Sequence, residues 1–128
     1  MDKVKIGISC GDINSISLEV ILKALNNEQI FKNIIPIIYG NIKIVSYHKN
    51  IAQLENLSIN IIGQGEKPRP GRINLVNCWN DNVTITLGKA SPDGGKFAQI
   101  ALERAVDDVL KSELDALVTG PVNKLSMR

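Results

Sequence analysis

The sequence predicts an α/β protein with a mostly parallel sheet and flanking helices. Short apolar runs bounded by glycine alternate along the chain with stripes of apolar residues at helical spacing. The apolar runs have little polar character, which is typical of strands buried on both faces of a parallel sheet. The 128 residues suit one domain, and 44% hydrophobic with 22% charged residues is ordinary for a soluble globular chain.

The first part of the chain reads as strand, helix and strand. Residues 4–9 alternate between apolar and other side chains and run into Gly11, as expected of a strand followed by a turn. Residues 18–25 place Leu and Ile at helical spacing, which predicts an amphipathic helix. Residues 34–39 form an almost continuous apolar run before Gly40, and this run predicts a strand buried on both faces.

The middle of the chain has weaker signals. A second helical stripe covers residues 44–54, and residues 57–62 return to the alternation of a strand. Residues 63–71 are rich in Gly and Pro, so they predict a loop. Two short β segments are expected after it, at 72–79 and 83–87.

The third helix is predicted most clearly. Apolar residues over 98–110 follow the i, i+3, i+4 rule for three turns. The residues Ser91-Pro92-Asp93 suit its beginning, with a capping hydroxyl, a proline at the first helical position and a carboxylate at the positive end of the helix dipole. Residues 115–119 then predict a buried strand that meets a turn at Gly120.

Three polar turns are expected at the carboxyl ends of these strands, where open α/β sheets bind ligands. They are residues 11–15, 88–96 and 119–124. Free N–H groups at the start of a following helix would suit a phosphate or another anion. The alternative remains that these are only tight turns, because such turns use Gly, Asn, Asp and Ser for conformational reasons.

The standard nucleotide-binding motifs are missing. No G-x-G-x-x-G follows the first strand, and the P-loop pattern over residues 90–97 fails at Ala90 and at Phe97. A classical Rossmann or P-loop site is therefore not predicted.

Other chemistry-bearing side chains are interpreted as structural. The lone histidine, His48, has no metal-ligating neighbours in sequence and is expected at the surface. Asp107 and Asp108 are expected on a solvated helix face rather than as a catalytic pair. Cys10 is expected to be a packed thiol, since no histidine near it in sequence would activate it.

Composition excludes several classes of partner. The net charge is +2, the basic residues are scattered and the chain has few aromatic side chains, so no nucleic-acid surface is predicted. No apolar run approaches the roughly 20 residues of a membrane span. Cys10 and Cys78 form no C-x-x-C motif, and they are interpreted as reduced thiols of a cytoplasmic protein.

The three polar turns, taken in order, resemble the signatures of one family. Residues 11–19, G-D-I-N-S-I-S-L-E, resemble the G-D-P-N-G-I-G-P-E signature of the 4-hydroxythreonine-4-phosphate dehydrogenases, the PdxA family. Residues 88–95, G-K-A-S-P-D-G-G, with Ala98 resemble its G-K-x-S-x-x-G-G-x-x-A segment. Residues 115–124, D-A-L-V-T-G-P-V-N-K, resemble its A-L-V-T-G-P-x-N-K strand and turn. The resemblance extends over essentially the whole chain.

The resemblance implies an activity and an assembly. Members of the family oxidise 4-phosphooxy-threonine with NAD in pyridoxal phosphate biosynthesis, the product then loses carbon dioxide, and a divalent metal polarises the oxygen involved. The implied fold is that of isocitrate and isopropylmalate dehydrogenases, with two α/β domains per subunit in a homodimer. Residues 1–128 would then be the amino-terminal part of the first domain, with the second domain outside this chain.

The resemblance also names candidate cleft residues. Asp12 and Asn14 would line the first turn, whereas Thr119, Gly120 and Lys124 would line the last. Gly120 would let the backbone pass close to a bound group, and Lys124 would pair with a phosphate. None of these is expected to be catalytic, and no metal ligand is expected in this chain.

Two departures from the family pattern bear on function. Ser15 and Ser17 replace glycines of the first signature, and two interpretations stay open: the ligand-facing turn is altered, or a serine caps the following helix. His48 matches none of the metal-binding histidines of the family, which are expected beyond residue 128. The chain alone is therefore expected to be an inactive fragment. The alternative is a non-catalytic α/β module that binds a small anion or an oligomer partner.

Overall fold

The computed structural model describes residues 3–10, 17–27, 29–54, 57–63, 66–79 and 92–119. Within these ranges, strands and helices alternate along the chain as the sequence predicts. They are β1 Val4–Ser9, α1 Ser17–Leu25, a 3-10 turn Ile30–Lys32, β2 Ile34–Gly40, α2 Ile42–Ile51, β3 Ile59–Ile62, β4 Ile73–Asn77, α3 Pro92–Leu110 and β5 Ala116–Thr119.

The predicted elements that fall within the described residues are confirmed, with small changes at their ends. The expectation that the last strand is buried was wrong: β5 is largely exposed, because it pairs only with β1 among the described strands. Helix α2 lies between Ile42 and Ile51, because Asn41 caps its first turn. The 3-10 turn was not predicted, and the expected β segment at 83–87 lies outside the described residues. Helix α3 begins at Pro92. Proline suits the first position of a helix, because an N–H group there would have no acceptor within the helix.

All strand pairings in the described sheet are parallel, and the strand order is β3-β4-β2-β1-β5. The chain first moves from β1 outward to β2, whereas the connection from β4 through α3 returns to the other side of β1. Right-handed crossovers in opposite directions place their helices on opposite faces of a sheet. In agreement, α3 contacts β1, β2 and β5, while α1 packs against α2.

One row of side chains across the sheet shows where the core lies. Ile61, Leu75, Ile38, Ile8 and Val118 are register neighbours on successive strands. The central Ile38 is 0% exposed, whereas Ile61 and Val118 on the two outer strands are 50% and 54% exposed. Burying a central side chain of this size contributes roughly 1.5–3 kcal/mol, so stability is concentrated in β2, β1 and β4.

Small residues let α3 lie close to the other face of the sheet. Ala101 and Ala105 are fully buried in that helix. A Cβ at Gly7 of β1 would stand 2.5 Å from the Leu114 side chain and 3.2 Å from that of Tyr39, so a larger residue would force one of them to move. The absence of a side chain at this position therefore sets the spacing between β1 and the α3–β5 connection.

Two expectations about polar side chains were wrong. His48 is 1% exposed rather than on the surface, because it follows Ile44 by four residues and shares its core-facing stripe on α2. Asp108 is 6% exposed rather than solvated, since it lies three residues after Ala105 on the buried face of α3. Asp107 is exposed, as expected.

The cysteines follow their predicted pattern. Cys10 is fully buried at the end of β1, Cys78 is half-buried, and neither forms a disulfide bond in the described part of the chain. Among the described residues, no helix combines the length and the apolar character needed to cross a bilayer.

Candidate functional site

The strand order places a topological switch point between β1 and β5. The connection that leaves β1 leads to β2 on one side of it, whereas the connection from β4 leads to β5 on the other side. Ser9 of β1 is the register partner of Thr119 of β5. Open α/β sheets bind ligands in the crevice outside such a point, at the carboxyl ends of the strands. The candidate site is therefore the carboxyl edge of β1 and β5.

The structure places one predicted cleft residue at this edge. Thr119 is the last residue of β5 and is exposed, whereas the neighbouring Ser9 is buried. The other four candidates, Asp12, Asn14, Gly120 and Lys124, lie outside the described residues, as does Ser15. Their convergence with Thr119 stays a prediction.

The turn between β2 and α2 is closed by the chain's own asparagines. The Asn41 side-chain oxygen accepts the Lys43 N–H at 2.9 Å, and that of Asn77 accepts the Ile42 N–H at 3.0 Å. Two of the free N–H donors of a helix start are thereby satisfied without a ligand. These two N–H donors at the start of α2 are thus occupied, and the three polar turns at 11–15, 88–96 and 119–124 stay the predicted anion sites.

Two aromatic rings cap the core beside this edge. Trp79 follows β4 and stacks on Phe97 of α3, with ring centroids 4.6 Å apart and planes 28° apart. The Asn41 amide donates to the Trp79 carbonyl, which fixes the backbone at this point. The Trp79 indole N–H is buried and finds no acceptor among the residues that the structure describes. The sequence analysis missed this pair, although a lone tryptophan directly after a strand was a visible signal.

A buried polar network underlies the same edge. The Tyr39 hydroxyl donates to the Asp108 carboxylate at 2.6 Å, and the Arg104 guanidinium lies 3.9 Å from the other carboxylate oxygen. Burial and the hydrogen bond to Asp108 raise the pKa of Tyr39 above its ordinary value. Burial likewise raises the pKa of the Cys78 thiol to about 12. Both groups are therefore neutral near pH 7, and the network joins α3 to β2 rather than supplying a nucleophile or base.

The described residues do not assemble a metal centre. No group of three or more His, Cys, Asp or Glu side chains comes together in that part of the chain. His48 makes an edge-to-face contact with Tyr47, their ring centroids being 5.4 Å apart, inside α2 and away from the carboxyl edge of β5. Any metal that the family requires would take its ligands from elsewhere.

Comparison with known proteins decides the family. The family model described as "Pyridoxal phosphate biosynthetic protein PdxA" matches residues 32–128. The chain belongs to the PdxA family. The predicted family is thereby confirmed, and the matched range includes the second and third turn signatures, at 88–95 and 115–124. The carboxyl edge described above is that of a PdxA-family sheet.

Individual relatives agree with this assignment. A 4-hydroxythreonine-4-phosphate dehydrogenase of Bacteroides thetaiotaomicron is 36% identical to the PdxA-family chain over 123 residues, which are 96% of this chain and 34% of the relative. A Clostridium botulinum protein named as a D-threonate 4-phosphate dehydrogenase is 29% identical over 130 residues, 99% of this chain and 39% of the relative. This PdxA-family chain thus spans a little over a third of the length of these relatives.

A solved structure shows the same fold. The crystal structure of a 4-hydroxythreonine-4-phosphate dehydrogenase from Burkholderia phymatum superposes with a TM-score of 0.85 at 24% identity. The superposition covers 99% of this PdxA-family chain and 39% of the other. The parallel sheet described above is thus the fold of part of that longer subunit.

Proposed function

We propose that this chain is part of an NAD-dependent dehydrogenase that oxidises 4-phosphooxy-threonine, with subsequent decarboxylation, in pyridoxal phosphate biosynthesis. The PdxA family match is the observation that carries the proposal. The switch point between β1 and β5 supports it, since it puts Thr119 where an α/β sheet binds its ligand. In this proposal the chain forms one wall of the substrate cleft.

The wall binds and orients the substrate rather than carrying out the chemistry. The Thr119 hydroxyl can donate to and accept from a substrate oxygen at the end of β5. Lys124 pairs with the phosphate group, and Gly120 leaves room for the backbone to approach it. Asp12 and Asn14, in the first polar turn, are the other residues proposed to line the cleft.

NAD and the divalent metal differ in what their binding would require of this chain. When bound, NAD accepts the hydride, and its binding here involves no Rossmann fingerprint. The divalent metal does not fit the described residues, because they hold no cluster of three metal-ligating side chains. Its ligands therefore belong to other parts of the enzyme.

The proposal includes a homodimer and a cytoplasmic location. Cys10 and Cys78 form no disulfide bond within the described ranges, which agrees with a reducing compartment. The modest net charge of +2 gives no reason to expect a nucleic acid as partner, and no membrane partner is expected. The proposed small-molecule partner is the substrate, a phosphorylated hydroxy acid.

D-threonate 4-phosphate is a second candidate substrate, because the Clostridium relative is named for it. The two compounds share the phosphate, the carboxylate and the hydroxyl that is oxidised. They differ at the second carbon, which carries an amine in one and a hydroxyl in the other. The same wall would serve both, so the choice between them needs a direct assay.

A hybrid enzyme tests the proposal. The chain is joined to the remaining two thirds of the Bacteroides relative, and NADH formation is followed with each substrate and a divalent metal. We expect turnover with 4-phosphooxy-threonine, no turnover by the 128-residue chain alone, and kcat/KM about tenfold lower in Thr119→Val, as for one lost substrate hydrogen bond. Thr119→Ser keeps the hydroxyl and should keep the activity.

Two outcomes would contradict the proposal. A folded hybrid that oxidises neither substrate would show that this chain does not form a wall of the catalytic cleft. Turnover by the 128-residue chain alone would show that activity does not need the part supplied by the Bacteroides relative. Preference for D-threonate 4-phosphate would select the second candidate.

A further inference from the structure

A cavity of about 420 Å³ lies at the amino edge of the sheet, at the opposite ends of the strands from Thr119. Its floor is apolar and consists of Phe31, Leu54, Leu57 and Ile73. Phe31 precedes β2, Leu54 and Leu57 lie between α2 and β3, and Ile73 is the first residue of β4, which places the cavity at the strand beginnings. The volume falls within the range of small-molecule pockets, roughly 300–1,000 Å³.

The rim of this amino-edge cavity is polar and carries one positive charge. Asn26, Gln53, Ser58 and Arg72 line it and are exposed, and within the described part of the chain none of their side chains makes a hydrogen bond or ion pair. The guanidinium of Arg72 is therefore available to a ligand. A guanidinium binds a carboxylate through two parallel hydrogen bonds.

The wall that carries Arg72 is held in place before any ligand arrives. Asn74 is fully buried, and the two N–H donors of its side-chain amide are shared among the carbonyls of Pro36, Arg69 and Arg72, which lie 3.1–3.2 Å from the nitrogen. Its oxygen accepts the Arg69 N–H at 2.9 Å and the Asn60 amide at 3.0 Å. The loop before β4 is thus tied to the sheet by one side chain, so ordering it costs little when a ligand binds.

Two residues that line the cavity have a positive backbone φ angle. Gln53 has φ +59° and Gly71 has φ +77°, both in the left-handed region. At Gln53 this conformation belongs to the end of α2, where the Gln53 N–H donates to the Asn50 carbonyl at 3.1 Å and the Leu54 N–H to the Lys49 carbonyl at 2.9 Å. At Gly71 an added Cβ would meet nothing within 4 Å, so the space beside it is open.

We propose that the amino-edge cavity binds a small organic acid with an apolar body. The apolar body lies on the Phe31, Leu54 and Ile73 floor, and the carboxylate pairs with Arg72. One cation in the described rim matches a single negative charge, and the apolar floor favours an aromatic or branched hydrocarbon over a phosphorylated sugar or amino acid. Because the cavity is at the edge opposite the candidate cleft, this inference does not depend on the proposed function.

The test uses the complete 128-residue chain labelled with ¹⁵N. 3-Phenylpropanoate is added, and the amide resonances are followed; the neutral 3-phenylpropanamide serves as the uncharged probe. We expect the acid to shift the resonances of Ser58, Gly71 and Ile73, with little change at Ser9 or Thr119. The amide should bind at least about tenfold more weakly, because it lacks the charge-assisted pair with Arg72.

Two variants separate the site from a general charge effect. Arg72→Gln should weaken binding of the acid about tenfold and leave binding of the amide unchanged. Arg69→Gln removes an equally exposed arginine of the same loop that does not line the cavity, and it should change neither. Equal binding of acid and amide, equal effects of the two variants, shifts confined to the carboxyl edge, or no shift at millimolar probe would each overturn the proposal.

Discussion

At the scale of single residues, the Tyr39–Asp108 hydrogen bond is the most sensitive contact in the described core. Both side chains are buried, and the hydroxyl donates to the carboxylate at 2.6 Å across the interface of β2 and α3. Tyr39→Phe leaves the carboxylate without this donor, so we expect the free energy of unfolding to fall by about 1–3 kcal/mol in urea unfolding. Tyr47→Phe is the matched control, since Tyr47 is exposed on α2, and it should change stability by less than about 0.5 kcal/mol. Equal effects of the two substitutions would show that the carboxylate does not need Tyr39.

Two titratable groups, the Cys78 thiol and the Tyr39 hydroxyl, predict a loss of stability at alkaline pH. The Cys78 thiol has an ordinary pKa of 9.0, and burial raises that pKa to about 12 in the folded chain. The pKa of Tyr39 is raised in the same direction by burial and by Asp108. Above pH 9 the unfolded chain therefore binds fewer protons than the folded chain, and the free energy of unfolding falls as pH rises, by at most about 1.4 kcal/mol per pH unit for each group.

Urea unfolding of the wild-type chain and of Cys78→Ala at several pH values checks this sign. We expect the two curves to run parallel below about pH 8 and the wild type to lose stability faster between about pH 9 and 12, where only the wild type has the Cys78 thiol to titrate. Parallel curves over the whole range would show that Cys78 titrates normally in the folded chain.

At the scale of elements, the start of α2 depends on one capping side chain. Asn41 accepts the Lys43 N–H and donates to the Trp79 carbonyl, so it joins the helix to the segment after β4. We expect Asn41→Ala to lower the free energy of unfolding by about 1–2 kcal/mol and Asn41→Asp, which keeps the cap oxygen, to lower it less. Asn50→Ala, on the exposed side of the same helix, is the control. A cost for Asn50→Ala as large as for Asn41→Ala, in thermal or urea unfolding, would refute the capping role.

Local patterns were sufficient to predict the elements, but not which polar residues they bury. The stripe of α3 and Pro92 at its start are properties of neighbouring residues, so the sequence predicts that helix almost to its ends. The burial of His48 and Asp108 depends on which side of α2 and α3 faces the sheet. The partner of Asp108, Tyr39, is 69 positions away, and no local pattern contains that information.

The candidate site was predictable to a similar extent. Thr119 at the end of a strand follows from the sequence, whereas its pairing with Ser9 follows from the strand order, which no local pattern gives. The three polar turns looked alike as sequence. Only the structure shows that Asn41 and Asn77 accept N–H groups at the start of α2, in the turn after β2. Only the structure shows the separate amino-edge cavity with Arg72.

At the scale of the whole molecule, the described sheet is unevenly covered. Its centre is sealed on both faces, but β5 pairs only with β1 among the described strands, and Ala116, Val118 and Thr119 are exposed. Helix α3, which contacts β5, adds the exposed Val106 and Leu110. An apolar strand with free backbone groups on one side is a template for pairing with another chain.

We therefore expect the isolated chain to self-associate through β5 as its concentration rises. Val118→Lys places a charge on this edge strand and should shift the sedimentation velocity profile toward the monomer. Val20→Lys is a closely matched control, because Val20 on α1 is 55% exposed and Val118 is 54% exposed. If both lysine variants reduce association equally, net charge and not the β5 edge controls it, and if neither does, association uses another surface. A selective effect of Val118→Lys would identify β5 as the edge of the sheet through which the chain associates.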